Sequence, residues 1–162
     1  MAATISVTEK DILASIRAYL IKLFGCEVYA AYQNNVPLGR DCIIITLVYE
    51  RDLTYPIDTW DADAKTITNQ QSVQARYQLD FYGDEAFSRA RVVHNLWKSQ
   101  YTTDEMKNLQ PLYVASMTKS PIVNESNQYE NRVIVELELQ YNPEITYSVD
   151  YLDKASITVT TP

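Results

Sequence analysis

The stretch RYQLDFYGDEAF, residues 76–87, changes its hydrophobic period partway through, and that change decides how the rest of the chain is read. Up to Phe81 apolar residues alternate strictly, as Val73, Ala75, Tyr77, Leu79 and Phe81, which is the period of a strand with one covered face. After Gly83 they return at helical spacing, as Phe87, Ala90, His94, Trp97 and Tyr101. A strand therefore leads through Gly83 and Asp84 into a helix predicted from about Asp84 to Tyr101. Turns of this kind hold phosphates in many enzymes, but a phosphate cradle needs several glycines and a helix end clear of negative charge. Here Asp84 and Glu85 occupy that end, and the whole chain has only three glycines. The turn reads as a structural joint, with Gly83 relieving the bend and Asp84 as the N-cap that fills the anion position.

Working outward, Thr8 is an N-cap candidate with Glu9 and Asp11 in the first turn, where carboxylates suit the positive helix end. The helix it opens runs to about Phe24. Its stripe is Ile12, Leu13, Ile16, Tyr19, Leu20, Leu23 and Phe24, and Gly25 is the stop. A short strand is predicted near Glu27 to Gln33, then the turn-rich NNVPLGRD, then CIIITLVYERDL, continuous enough to be covered on both faces. Downstream, LYVASM reads as a strand and SPIVNESNQYEN as a loop. NRVIVELELQY places Val133, Val135, Leu137, Leu139 and Tyr141 on one side against Glu136, Glu138 and Gln140 on the other, with Pro143 as its end and SITVTT as a final strand.

Residues 54–71, TYPIDTWDADAKTITNQQ, are too long for an ordinary connection and too polar for core. They form either a protruding hairpin or a mobile arm. Trp60, flanked by Asp58, Asp61 and Asp63, is its one large aromatic of apolar character; it suits a partner anchor and equally a ring folded back on its own domain. The expectation is one α+β domain over 1–162: a largely antiparallel sheet packed by two main helices, a protruding loop or hairpin at 54–71, and a C-terminal strand or tail over 144–162.

The bulk properties narrow the function. The chain has 162 residues, 46% hydrophobic and 22% charged, and no apolar run approaches the roughly 18 residues of a membrane span. The N-terminus has neither a basic leader nor an apolar stretch, so synthesis and assembly in the cytoplasm are expected, without a membrane partner. Cys26 and Cys42 have no motif spacing and read as buried free thiols. A net charge of −7 argues against affinity driven by phosphate neutralisation. Thirteen tyrosines supply large faces with polar tips, a composition suited to interfaces as well as to strands.

Chemistry finds little purchase. His94 is the sole histidine, and no Ser or Cys motif calls for it, so it reads as a packing residue. DTWDADAKTITN has three aspartates but lacks the glycine and terminal glutamate of a calcium loop. Asp80, Glu136 and Glu138 can be assembled on paper into a two-metal nuclease cluster, but no lysine follows at the spacing such nucleases use. No metal, cofactor or catalytic residue is expected.

The segments that fail as chemistry carry a resemblance. YQLDFYGDEAFSRA, then LWKSQY, PLYVASMTKSPIVNESNQYENR and VELELQYNP resemble, in that order, the neck or tail terminator proteins of tailed bacteriophages; the first helix with NNVPLGRDCIIITLVYER resembles that family's beginning. The likeness covers about residues 8 to 143. It implies a structural virion protein at the neck, the top of the tail. Family members form a ring, usually of six subunits, that caps the tail tube, stops its polymerisation and meets the head-completion connector, with DNA passing through the lumen. Implied partners are further copies of the chain, the tube protein, the connector, the tail sheath, and genomic DNA without sequence-specific binding. On this reading Trp60 with Asp58, Asp61 and Asp63, Tyr129 in the 120–131 loop, and Glu136 and Glu138 are interaction residues, and Gly83 and Asp84 a structural turn. The alternatives are a head-completion or stopper protein of the same neck and, from another class, a metal-dependent nuclease.

Overall fold

A computed structural model describes residues 3–32, 39–123 and 127–149. Its centre is a five-stranded sheet in the order β2 (Glu27–Ala30), β3 (Cys42–Asp52), β6 (Val73–Tyr82), β10 (Arg132–Tyr141), β7 (Gln110–Lys119). Every pairing is antiparallel except β2 with β3. Helices α1 (Glu9–Phe24), α2 (Ala86–Leu96) and α3 (Gln100–Glu105) cover one face. The alternation in β6 and β10 sets that face: Tyr77, Leu79 and Phe81 lie opposite Leu137, Val135 and Val133, all buried.

The first helix is built as its sequence predicts. Thr8 accepts from the Asp11 backbone, Asp11 returns the bond to the Thr8 backbone at 2.8 Å, and Gly25 ends the helix at φ +63°. Ile12, Ile16, Tyr19 and Leu20 enter the core. The second helical segment differs from expectation in two ways. It divides after Leu96, because the Ser99 side chain caps a separate short helix by accepting from Thr102. Its buried stripe is Ala86, Ala90, Val93 and Trp97, so Phe87 and Tyr101, expected inside, stay exposed. The small Ala86 and Ala90 let the helix lie close to the sheet, and full burial of Trp97 fixes its rotation. Trp97 packs edge-on against Tyr19, with ring centroids 6.1 Å apart. Thr102 donates its hydroxyl to the Leu96 carbonyl, so the Tyr19 hydroxyl, 2.8 Å away, is the donor to Thr102.

The opening turn is a joint of a specific kind. Glu85, not Asp84, stands at the N-cap position of α2, and no side chain caps that end. Gly83 adopts φ +99°, and a Cβ there would lie 2.6 Å from an Asp41 carboxylate oxygen. Asp41 is held in place by a two-pronged ion pair to Arg89 of α2, both contacts 2.8 Å. The glycine is therefore required both by its backbone angle and by the carboxylate passing beside it. β2 ends at Ala30, short of the predicted Gln33, which with most of NNVPLGRD lies outside the described residues.

Residues 54–71 resolve to a hairpin, β4 (Ile57–Asp61) and β5 (Thr66–Gln70), within a second sheet of order β1 (Thr4–Ile5), β11 (Glu144–Ser148), β5, β4. The chain beyond Pro143 thus begins with a strand the sequence reading placed later; SITVTT lies outside the described residues. The 120–131 loop contains a two-stranded ribbon, β8 (Ile122–Val123) and β9 (Tyr129–Glu130). β3 is covered on its helix side only, since Ile44 and Thr46 on the other side are partly open. Cys26 and Cys42 are free thiols, with Cys42 buried.

Replacing Gly83 with alanine should cost more than replacing Gly25, whose left-handed position has open space around it. Urea unfolding is expected to give about 1 kcal/mol for Gly25→Ala and at least about 2 kcal/mol for Gly83→Ala. Equal losses would mean that Asp41 yields without cost.

Candidate functional site

Two surfaces concentrate the features that the sequence singled out. The first is the face of the central sheet turned away from the helices. Glu138, on the side of β10 opposite the apolar residues, is fully buried there. Its carboxylate accepts from Arg76 Nε at 2.6 Å, Gln74 Nε2 at 2.8 Å and the Tyr49 hydroxyl at 3.0 Å. Arg76 also reaches Glu136 at 3.3 Å and lies over the Tyr49 ring at 4.9 Å. Arg51 donates twice to Gln74 from one edge. The hydrogen bond to Glu138 raises the Arg76 pKa, and burial, followed by the bond to Glu138, raises that of Tyr49. Both shifts favour a charged Arg76 and a protonated Tyr49.

Asp80 belongs to a neighbouring cluster: it accepts from Arg132 at 2.7 Å and from Gln78 at 2.9 Å. The three carboxylates of the imagined nuclease cluster are thus engaged by Arg76 and Arg132. Among the described residues no group of three or more His, Cys, Asp or Glu is arranged to hold a metal ion. Glu138 is an internal strut and not a surface offered to a partner, whereas Glu136 keeps part of its side chain accessible. His94 is half-buried, its Nδ1 3.4 Å from Asn95 Oδ1.

The second surface is the arm. Register places Trp60, Ile67 and Tyr147 in one cross-strand row, and Asp58, Asn69, Ile145 and Ile5 in the next row on the same face. That face is largely apolar and incompletely covered: Trp60 is 45% exposed, and Ile5 and Ile145 are also exposed. The opposite face is polar, with Thr68 and Thr146 hydroxyls 3.0 Å apart and Gln70 donating to Glu144 at 3.0 Å. The aspartates beside Trp60 divide their tasks. Asp61 accepts from the Asp63 and Ala64 backbones and shapes the hairpin turn, while Asp58 accepts from Asn69 at 2.6 Å. All five residues of β4 are exposed, and β4 is an edge strand. Tyr129, on the ribbon at the other end of the central sheet, is 82% exposed.

Sequence reasoning singled out Trp60 and its aspartates but missed the strand that completes their sheet. β11 carries only the short alternation Ile145, Tyr147 beside threonine and serine, and its pairing to β5 spans more than seventy residues of chain. No periodic signal within one segment reports such a partner.

The domain is thus a small α+β fold whose buried acids are engaged by arginines, with Trp60, Ile5 and Ile145 among its exposed apolar residues on a sheet that ends in the edge strand β4. The model of the phage neck terminator protein family matches residues 10–162, and the chain belongs to that family. No curated protein matches it. Membership makes it a structural protein of the phage neck and tail, located in the virion and in contact with other head or tail proteins.

Removing Arg76 leaves a buried carboxylate short of its strongest donor. Arg76→Ala is expected to destabilise the domain by about 3 kcal/mol, and Glu138→Gln, which keeps hydrogen bonding without the charge, by less. Urea midpoints measured at pH 7 test the order; a smaller loss for Arg76→Ala would show that Glu138 is adequately held by Gln74 and Tyr49.

Proposed function

We propose that this chain is a tail terminator without catalytic activity: a ring, of six subunits by the family's pattern, that caps the tail tube, stops its polymerisation and receives the neck connector. The observation that supports this most directly is the arm, a projecting sheet that presents Trp60 and an open edge strand on an otherwise well-packed domain. Exposed strand edges and half-buried aromatics are costly in an isolated protein and useful in an assembly. Contacts between two different patches of successive copies close into a ring when the rotation permits. Closure uses up the lateral edges, and termination then follows if only one axial face matches the tube.

In this reading Trp60, Asp58, Asp61 and Asp63 on the arm and Tyr129 on the β8–β9 ribbon contact the tube, sheath, connector or a neighbouring copy, and Glu136 contributes from the sheet face. A chain of net charge −7 suits a channel through which DNA slides without sticking. Assembly takes place in the host cytoplasm before the tail joins the filled head.

Deleting the gene from its phage and measuring tails by electron microscopy tests the terminator role. Overlong tubes without heads are expected, whereas tails of normal length beside detached heads would overturn it in favour of a stopper. Within the arm, Trp60→Ala should fold normally and reduce the yield of joined particles at least tenfold on complementation of the deletion. Wild-type particle yield from that variant would remove Trp60 from the contact.

A further inference from the structure

A groove of about 840 Å³ lies between α1 and β2, away from the arm. Its floor includes Leu13, Ala18, Ile21, Val28 and Ile45, and its rim carries Lys10, Arg17 and Lys22. Among the described residues no carboxylate lines it. Lys22 is engaged by Glu105 at 2.6 Å, whereas among the described residues Arg17 donates Nε to an uncharged acceptor, the Val28 carbonyl, at 2.9 Å. β2 forms one edge of the central sheet. The Ala31 N–H reaches the Ile45 carbonyl, so in this parallel pair Tyr29 and Ala31 turn their backbone groups to β3. Val28 and Ala30 turn theirs to the open edge, where Arg17 occupies one of them.

The arm has the complementary features. β4 is an edge strand five residues long, against four in β2, with Asp58 and Trp60 on one face and Ile57 and Thr59 on the other. Three aspartates, Asp58, Asp61 and Asp63, lie on β4 and its turn. An acidic edge strand with an aromatic on one face and a basic, apolar-floored groove beside another open edge are the two halves of a strand-addition contact.

We infer that β4 of one copy docks along β2 of the next, with Trp60 over the groove floor and Asp58 taking Arg17 from the Val28 carbonyl. The occupant of the groove is thus a second copy of this chain, and the contact is heterologous, as a ring requires. This rests on the ring proposed above and names the surfaces that close it. Moving Arg17 to Asp58 also frees the Val28 carbonyl to accept from the incoming strand, so the side chain that blunts the edge in the free chain becomes an ion-pair donor in the assembly.

The test uses the full chain. Self-association is followed by sedimentation velocity and ring formation by negative-stain microscopy, in solution and on purified tail tubes. Ala18→Glu, at an exposed helix position where a carboxylate leaves the fold intact, should raise the concentration needed for ring formation at least tenfold. Lys10→Glu with Arg17→Glu, and separately Asp58→Lys with Asp63→Lys, should each do the same, and mixing these two charge-reversed chains should restore mixed rings. In addition, a Trp60→Cys chain mixed with an Ala18→Cys chain, both in a Cys26→Ser background, should yield a disulfide between unlike chains in excess over like pairs. Rings that form normally in Ala18→Glu, or no excess of the unlike disulfide when rings form, would overturn the docking and leave the ring standing. Absence of rings from the wild-type chain both in solution and on tubes would overturn the docking and the ring together.

Discussion

The structure depends on Glu138, because this one residue ties the two sides of the sheet together. On the helix side its backbone carbonyl accepts the Trp97 indole N–H at 2.9 Å, fixing the end of α2. On the other side its carboxylate is closed off by Arg76, Gln74 and Tyr49. A buried carboxylate is tolerated only when its hydrogen-bonding capacity is filled, so the positions of β3 and β6 relative to β10 are constrained by chemistry as well as by the apolar face. A slip of one residue in either pairing would point Glu138 or its donors into the hydrocarbon layer.

Bulges make this closure possible. Val48 is the extra residue where β3 passes β6, so that Leu47 lies opposite Tyr77 and Tyr49 opposite Arg76. The bulge moves Tyr49 onto the polar face, over the Arg76 guanidinium, and returns Glu50 to the helix side, where the Tyr141 hydroxyl donates to it at 2.7 Å. Two further irregularities along β7 bring Tyr113 opposite Glu138. On the helix side the Tyr77 hydroxyl is buried without a partner among the described residues, and burial drives its pKa far upward.

What the sequence made legible was whatever repeats within one segment. The alternation of β6 and β10 and the stripe of α1 survive intact, because each is a local pattern read against one core. The burial of Glu138 was not legible, since alternation assigns it to the open face and only the register with Arg76, four strands earlier in the chain, reveals the donor. The rotation of α2 was missed for a related reason. Phe87 fell on the stripe by its helical spacing, but the face that seats Trp97 is lined by Ala86 and Ala90, and Phe87 instead lies beneath the Arg91 guanidinium, which is 5.9 Å from the ring centroid. Trp60 was singled out by its type and company, whereas the sheet that carries it depended on pairings with residues far away in the chain.

Those distant pairings give the arm a place in time. Thr4 pairs with Thr146, and β5 is held between β4 and β11, so the sheet that carries Trp60 takes strands from near both extremities of the described chain. During synthesis the hairpin of β4 and β5 emerges early, but its second neighbour follows only after the whole central sheet has been made. Contacts that far apart form late, once the intervening chain has already collapsed. A chain interrupted before residue 144 therefore has a complete helical layer and an unfinished arm. Such a chain lacks β11, so β5 has no partner on the side away from β4, and the row of Trp60, Ile67 and Tyr147 stops at Ile67.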